Sequence, residues 1–466
     1  MNPTTTESTV EYLSRWKILA SVMVGSIMGP LDASIVYISL PTIAQEFNVP
    51  PDSVGWVSMA YLLIMGSFLL SFGRLGDMLG FKRIYLLGLA VFTLASAACS
   101  LAGSLPVLIA ARAFQAVGAG LSLSMTTAII TNSFPPSERG RALGINGMLV
   151  AVGLAMGPSL GGFLVELSGW RSIFLVNLPI GLAAFILTLK ILPAVRGVSG
   201  SFFDWPGSLL GFGSLLTLLL FASQGQSAGW SAGIWVMGFL AVALALWFIR
   251  WEARAPQPIL DLELFGHRTF SAGNAASLMN FVTQYIIVFL TPFLLQQGLG
   301  LKPGTTGAYM TAFPLTVLVI APLAGTLSDR LGQRGLAFIG SLCCTAAALG
   351  LVLFSFKVQP YQVSICLGLF GLGTGLFQSP NTSAVMSAVP KHRLGIASGV
   401  QATTRNVGMV FGIALGGAVF ASRQAAYIYQ GGPSPFLSAI QDAYLSAAVV
   451  SAAATLMLIF LREKNS

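Results

Sequence analysis

Residues 73–83 read GRLGDMLGFKR and residues 325–334 read GTLSDRLGQR. Each is a short polar island between long apolar runs. Gly73, Leu75, Asp77, Leu79 and Gly80 keep the spacing of Gly325, Leu327, Asp329, Leu331 and Gly332, 252 positions later, and a basic residue closes each copy. One island would say little, because Gly, Asp and Arg are common turn residues. Two at matched places mark an internal duplication, and that sets the architecture.

The runs on either side of the islands must be solvated by lipid. The chain is 55% apolar and 8% charged, with a mean hydropathy of +0.81; a soluble domain carries about 25% charged residues. Apolar runs fall at roughly 18–41, 53–72, 84–104, 107–131, 141–165, 170–193, 206–223, 230–250, 269–296, 304–328, 335–356, 361–389, 394–421 and 437–461. Most are near or above the ~20 residues that cross a bilayer as a helix. They lack the alternation of a barrel strand, so the expected fold is an all-α membrane protein with fourteen spans. Residues 1–16 read as a polar segment, disordered or interfacial. The first run is long and no small-residue cleavage site follows it, so it does not read as a cleavable signal peptide.

The net charge of +9 would raise nucleic acid as a partner in a soluble protein. Here the basic residues sit in short loops, which reads as membrane orientation instead. If the first residue is cytoplasmic, eighteen of the 24 Lys and Arg fall on the cytoplasmic side and four outside, while Arg112 and Arg405 lie within spans. Both termini are therefore expected in the cytoplasm and the chain in the cytoplasmic membrane. Cys99, Cys343, Cys344 and Cys366 all fall inside apolar runs and read as buried small hydrophobes. No metal site or cofactor is expected. No GxxxxGK[ST] sequence is present, so no nucleotide is expected either.

The duplication extends well beyond the islands. Gly118, Gly120 and Leu121 match Gly373, Gly375 and Leu376, and Gly153, Gly157, Gly161 and Gly162 match Gly408, Gly412, Gly416 and Gly417, all 255 positions apart. Spans one to six thus pair with spans nine to fourteen. The expected organisation is a cytoplasmic segment (1–17), a six-helix bundle (18–195), two inserted helices (196–252), a cytoplasmic linker (253–268) and a second six-helix bundle (269–462). Parallel repeats with a site between them near the midplane suit a transporter that rocks.

These residues resemble the major facilitator superfamily over essentially the whole chain. The Gly73–Arg83 island resembles its loop signature between helices two and three. ARAFQAVGAG, with Arg112, resembles its fourth-helix arginine motif, and GLAMGPSLGG (Gly153–Gly162) the fifth-helix motif of its antiporters. LDASIVYISLP (Leu31–Pro41) and GWRSIFLVNLPIG (Gly169–Gly181) resemble the fourteen-helix drug:proton antiporters. The resemblance implies a proton-coupled antiporter that exports amphipathic small molecules by alternating access, with protons and membrane lipids as partners and a monomer as the working unit.

Asp32 is the sharpest single residue, the one acidic side chain expected deep in a span. A charged Asp at the bilayer centre costs about 2.5–3.5 kcal/mol on insertion scales, so it should face a wet cavity, pair, or protonate. Desolvation favours the neutral carboxyl and a nearby cation the charged one. That competition suits a proton-coupling group; the other reading is a fixed ion pair. Arg112 lies at a similar depth and reads either as the modulator of Asp32 or as an arginine bonding helix carbonyls. Gly153, Gly157 and Gly161 share one helix face and allow close approach, and Pro158 permits a bend. Carried over from antiporters, this face implies a dry contact between the halves. In the islands, Gly73, Asp77, Arg83, Asp329 and Arg330 read as a cytoplasmic latch.

A substrate cavity between the halves is expected to draw on Tyr61, Gln115, Met148, Asn280, Gln284, Tyr309, Phe313, Gln378, Asn381 and Arg405. Arg405 complicates a pump for cations, since no acidic residue accompanies it in the second half and Asp442 lies near the outer end of the last span. It favours the alternative of a lipid, anionic or zwitterionic metabolite exporter. An importer of the same fold is a further alternative. A membrane enzyme would need a cluster of His, Asp or Glu, and His267 and His392 have no such company.

Overall fold

A backbone in hydrocarbon finds no water, so each segment must satisfy its own N–H and C=O groups. In the computed structural model, which describes residues 3–193, 204–227, 231–254, 262–353, 359–390, 393–431 and 434–458, the apolar runs fold as fourteen helices. We number them α1 (Pro3–Ser26 and, past a break at Ile27, Met28–Phe47), α2 (Pro51–Leu79), α3 (Phe81–Ser100), α4 (Leu105–Ser133), α5 (Pro136–Ser168), α6 (Ser172–Leu175 and Asn177–Ile191) and α7 (Trp205–Ser227). Then follow α8 (Ala232–Glu252), α9 (Arg268–Phe293, ending in a π turn Leu294–Gly298), α10 (Pro303–Met310 and Ala312–Leu331), α11 (Gln333–Leu353), α12 (Pro360–Ser387), α13 (Leu394–Tyr429) and α14 (Pro435–Met457). Thirteen are long and apolar enough to cross a membrane; in α7 the apolar stretch is the shorter Trp205–Phe221. The polar residues 3–14, expected to be disordered or interfacial, are helical and continuous with the first span. Once a helix is nucleated, adding residues to it costs little.

Glycines set how the helices pack, and they do so twice. A Cβ on Gly118 would collide with the backbone of Phe92 and Gly88 on α3; one on Gly373 would collide with Gly340 and Cys344 on α11. Gly153, Gly157 and Gly161 of α5 seat Ile27, Leu31, Ser34 and Ile35 of α1, and Gly408, Gly412 and Gly416 of α13 seat Leu278, Val282, Tyr285 and Ile286 of α9. The fifth-helix glycine face expected between the halves thus lies inside the first half. Its periodicity called for a close neighbour, but a helix has neighbours on several sides and α1 takes this one.

The contact between halves is made one residue further round the helix. Gly162 meets Pro303 and Gly304 of α10, and Gly307 of α10 meets the carbonyl of Pro158. Gly417, the repeat of Gly162, meets Asp52 of α2. The two halves therefore touch along two equivalent seams, α5 with α10 and α2 with α13. The inserted pair has no counterpart. α7 lies against both α2 and α13, with the Phe212 and Phe68 rings 5.4 Å apart, and α8 packs on α7.

All these cross-contacts lie toward one face, the one carrying the α1–α2, α5–α6, α9–α10 and α13–α14 loops. There Gln296 Nε2 donates to Ile38 O (2.9 Å), Ser159 and Thr311 hydroxyls pair at 2.6 Å, and Gly304 N donates to Glu166 (3.1 Å). Toward the face where α1 begins the packing opens, and Cβ atoms built on Gly73, Gly140, Gly144 and Gly147 would have no described atom within 4 Å. Arg83 is exposed, and Lys82 beside it donates to the Leu189 and Leu192 carbonyls at the end of α6. The side chains of Asp77, Asp329 and Arg330, named for the latch, lie outside the described residues.

Cysteines at positions 159 and 311 should cross-link readily in the membrane, since the four native cysteines are buried or half-buried. Adding Gly307→Val, which puts a side chain against Pro158, should cut that cross-linking several-fold. Unchanged cross-linking, read by mobility on a gel, would contradict a tight α5–α10 seam.

Candidate functional site

Asp32 follows the break in α1 by five residues and turns into the first bundle. It is fully buried. Its Oδ2 receives Arg112 Nη1 at 2.5 Å, and its Oδ1 receives Gln115 Nε2 at 2.9 Å and Asn177 Nδ2 at 2.8 Å. Arg112 and Gln115 stand one turn apart on α4, so both reach the same carboxylate. Arg112 also donates from Nε to Val57 O (3.2 Å) and from Nη1 to Gln115 Oε1 (2.5 Å). Gln115 Nε2 also reaches Ser96 Oγ at 2.7 Å. Four helices of the first half thus supply acceptors and donors for one ion pair.

Burying an ion pair is tolerable only when each charge is also hydrogen-bonded, and here each is. The Arg112 guanidinium further lies over the Tyr61 ring, 4.3 Å from its centroid, and 5.7 Å from that of Phe174. A desolvated cation on an aromatic face gains up to about 2 kcal/mol. Tyr61 is the partition. One side of it covers Arg112 and another lines the central cavity. Asp32 and Arg112 do not line that cavity. Of the outcomes open to Asp32, a wet cavity, a pair or protonation, the structure shows the pair, and donors on α4 and α6 replace water around it.

The cavity between the halves has a volume of about 660 Å³, in the range of a drug-sized site. Tyr37 and Tyr285 are both on its wall, their rings meeting edge to face at 5.7 Å across the halves. Of the ten residues expected to meet substrate, Tyr61, Gln284, Phe313, Gln378 and Arg405 are on its wall. Gln284 and Gln378 are 3.5 Å apart. The other five are elsewhere. Gln115 is committed to Asp32. Asn280 and Asn381 are buried in the second bundle, Asn280 against Cys344 and Asn381 against Gly273 O and Ser277. Met148 is 60% exposed but off the wall, and the carbonyl of Tyr309 accepts from Ser364. Each of these points to a different azimuth of its helix than the cavity.

Sequence reasoning missed Asn177, although it stands as a lone amide in the apolar sixth run. It also missed Tyr37, Tyr285, Gln401 and Asn406 on the wall. The wall is uneven: its four amides, Gln284, Gln378, Gln401 and Asn406, and its one charge, Arg405, all come from the second half. Asp442, weighed as a partner for Arg405, is taken by Arg423 at 2.6 Å and by the Tyr427 hydroxyl at 2.8 Å. Among the described residues no group of three or more His, Cys, Asp or Glu is placed to hold a metal.

Comparison with known proteins places this geometry. Residues 22–206, 205–413 and 276–465 each match the Major Facilitator Superfamily. Riboflavin transporter RibZ of Clostridioides difficile is 36% identical, over 97% of this chain and 98% of that one. Multidrug resistance protein Stp of Mycobacterium tuberculosis is 36% identical, over 87% of this chain and 75% of its own. The tetracenomycin C resistance and export protein of Streptomyces glaucescens is 31% identical, over 88% and 76%. Among solved structures, a bacterial homologue of the human lysosomal transporter Spinster superposes with a TM-score of 0.70 at 15% identity, over 96% of each chain.

Replacing Arg112 by Gln strands the buried carboxylate. Breaking a buried pair in this way costs about 3–5 kcal/mol, so the variant should melt well below the wild type in detergent. The double variant Asp32→Asn with Arg112→Gln should regain much of the loss. A single variant as stable as wild type would show that the pair contributes nothing.

Proposed function

Because the chain belongs to the major facilitator superfamily, we propose that it is a proton-coupled exporter of amphipathic small molecules working by alternating access. The observation that carries this is the position of Tyr61, with the buried Asp32–Arg112 pair on one side and the cavity on the other. The open face is read as cytoplasmic, in keeping with the Lys and Arg bias of the loops. An amphiphile enters there from the cytoplasm or the inner leaflet of the cell membrane. The closed seams at Gly162–Gly304 and Gly417–Asp52 hold the outer side shut in this state.

The pair supplies the coupling. While Asp32 is ionised it fixes Arg112, and Arg112 fixes Tyr61 and the Val57 carbonyl of α2. A proton arriving when the outer side is open neutralises Asp32, weakens its hold on Arg112, and frees the Tyr61 wall to shift. Since α2 forms a seam with α13, that local release acts on the contact between halves. The island residues Gly73, Asp77, Arg83, Asp329 and Arg330 then latch the inner side. One charge crossing 100 mV supplies about 2.3 kcal/mol. The two six-helix bundles rock as units in this scheme, with one monomer sufficient.

The relatives named for resistance and export support the outward direction. A second reading, a carrier of a planar heteroaromatic metabolite, is favoured by the relative named as a riboflavin transporter, which matches over nearly the whole chain. Both readings share the proton step, and the direction of flux separates them.

The test uses the full chain in proteoliposomes with a pH indicator inside and an imposed pH gradient, offered riboflavin and a panel of aromatic antibiotics. Substrate and protons should move in opposite directions. Asp32→Asn keeps an acceptor for Arg112, which retains Val57 O, Gln115 and Tyr61, so it should fold yet lose gradient-driven transport while passive exchange persists. Full pumping by Asp32→Asn against a gradient would remove Asp32 from the coupling.

A further inference from the structure

Arg405 has no use in the scheme above. It lies in the interior of α13, exposed, and it is the one charged side chain among the described residues on the cavity wall. Among the described residues no carboxylate pairs with it and no carbonyl accepts a hydrogen bond from it. Asp442 serves Arg423, and the charge of Asp32 is committed to Arg112 behind Tyr61. The repeat makes the point sharper. Val150 of α5 stands 255 positions earlier and lines the same cavity. Packing at this place in the fold is therefore met by an aliphatic side chain, and the charge in the second half answers to something else.

Its surroundings are short of acceptors. The amide nitrogens of Gln401, one turn before it, and of Asn406, beside it, are buried without any acceptor. Buried donors lacking an acceptor cost stability unless another partner arrives. Across the cavity the first half presents Met28, Tyr37, Tyr61, Met65 and Phe92, which are soft and aromatic. The cavity thus has a side of amides carrying one fixed positive charge, and a mainly apolar side that fits ring systems.

We propose that Arg405 anchors an acidic group on the transported molecule, so that the cavity takes an aromatic amphiphile bearing a carboxylate, sulfonate or phosphate in preference to a cation built on the same rings. This rests on the reading of the cavity as the transport site. The planar guanidinium offers paired N–H donors that match the oxygens of such a group. A lone cation is repelled by Arg405, and among the described residues no carboxylate on the wall offsets that charge.

The experiment is equilibrium binding to the full chain in phosphatidylcholine nanodiscs, read by intrinsic fluorescence with empty nanodiscs subtracted. The probes are 1-pyrenesulfonate and 1-pyrenemethylammonium, which share a ring system and differ in charge. Wild type should bind the sulfonate saturably and at least about tenfold more tightly than the ammonium. Arg405→Gln should lose about tenfold or more for the sulfonate and leave the ammonium unchanged or improved; Arg405→Lys should recover part of the loss. The proposal is overturned if the sulfonate does not saturate, if the ammonium binds equally or more tightly, or if Arg405→Gln weakens both probes by the same factor. No gradient is involved, so the outcome is independent of coupling. Charge-selective binding with no gradient-driven flux would sink the exporter and spare Arg405. Gradient-driven flux with indifference to probe charge would do the reverse.

Discussion

A carboxylate and a guanidinium sealed from water form an unstable combination unless further hydrogen bonds support each charge. Asp32 and Arg112 meet that demand through Gln115, Asn177, Ser96, the Val57 carbonyl and the Tyr61 ring. The demand is what ties α1, α3, α4 and α6 into one body and fastens α2 to it. It also means that neutralising one atom group is felt on several helices at once.

The two halves are alike where helices touch and unlike where chemistry is done. Glycines at equivalent places seat α1 on α5 and α9 on α13, then join the halves at Gly162 and Gly417. Small residues let backbones approach closely, which is how helices gain contact energy in lipid, where burial from water no longer drives them together. Against that shared frame the charges are asymmetric. The first half hides an ion pair whose net charge is zero, and the second half shows Arg405 to the cavity.

The inserted helices are placed where they matter to this frame. α7 covers the α2–α13 seam from outside, whereas no helix of this chain covers the α5–α10 seam among the described residues. The cavity is therefore bounded differently on its two sides. The seam made by Gly162, Gly304 and Gly307 rests on close backbone approach together with the Ser159–Thr311 and Gly304–Glu166 hydrogen bonds.

Much of this was written in the order of the residues. The repeated islands, the repeated glycines and the fourteen apolar runs fix helices, their number and their pairing, because the need to satisfy a backbone in lipid acts on each segment locally. Asp32 and Arg112 could be named for the same reason: a charge in an apolar run is conspicuous wherever the helix points. What the order of residues could not fix is azimuth. Gln115 and Ser122 share a face of α4, yet Gln115 is drawn to Asp32 and Ser122 reaches the cavity. Gly161 and Gly162 are adjacent, yet one faces its own half and the other its partner half. Arg112 and Arg405 look alike in sequence, and only the packed structure neutralises the first and leaves the second open. Periodicity tells which residues share a helix face; only the neighbouring helices decide what that face meets.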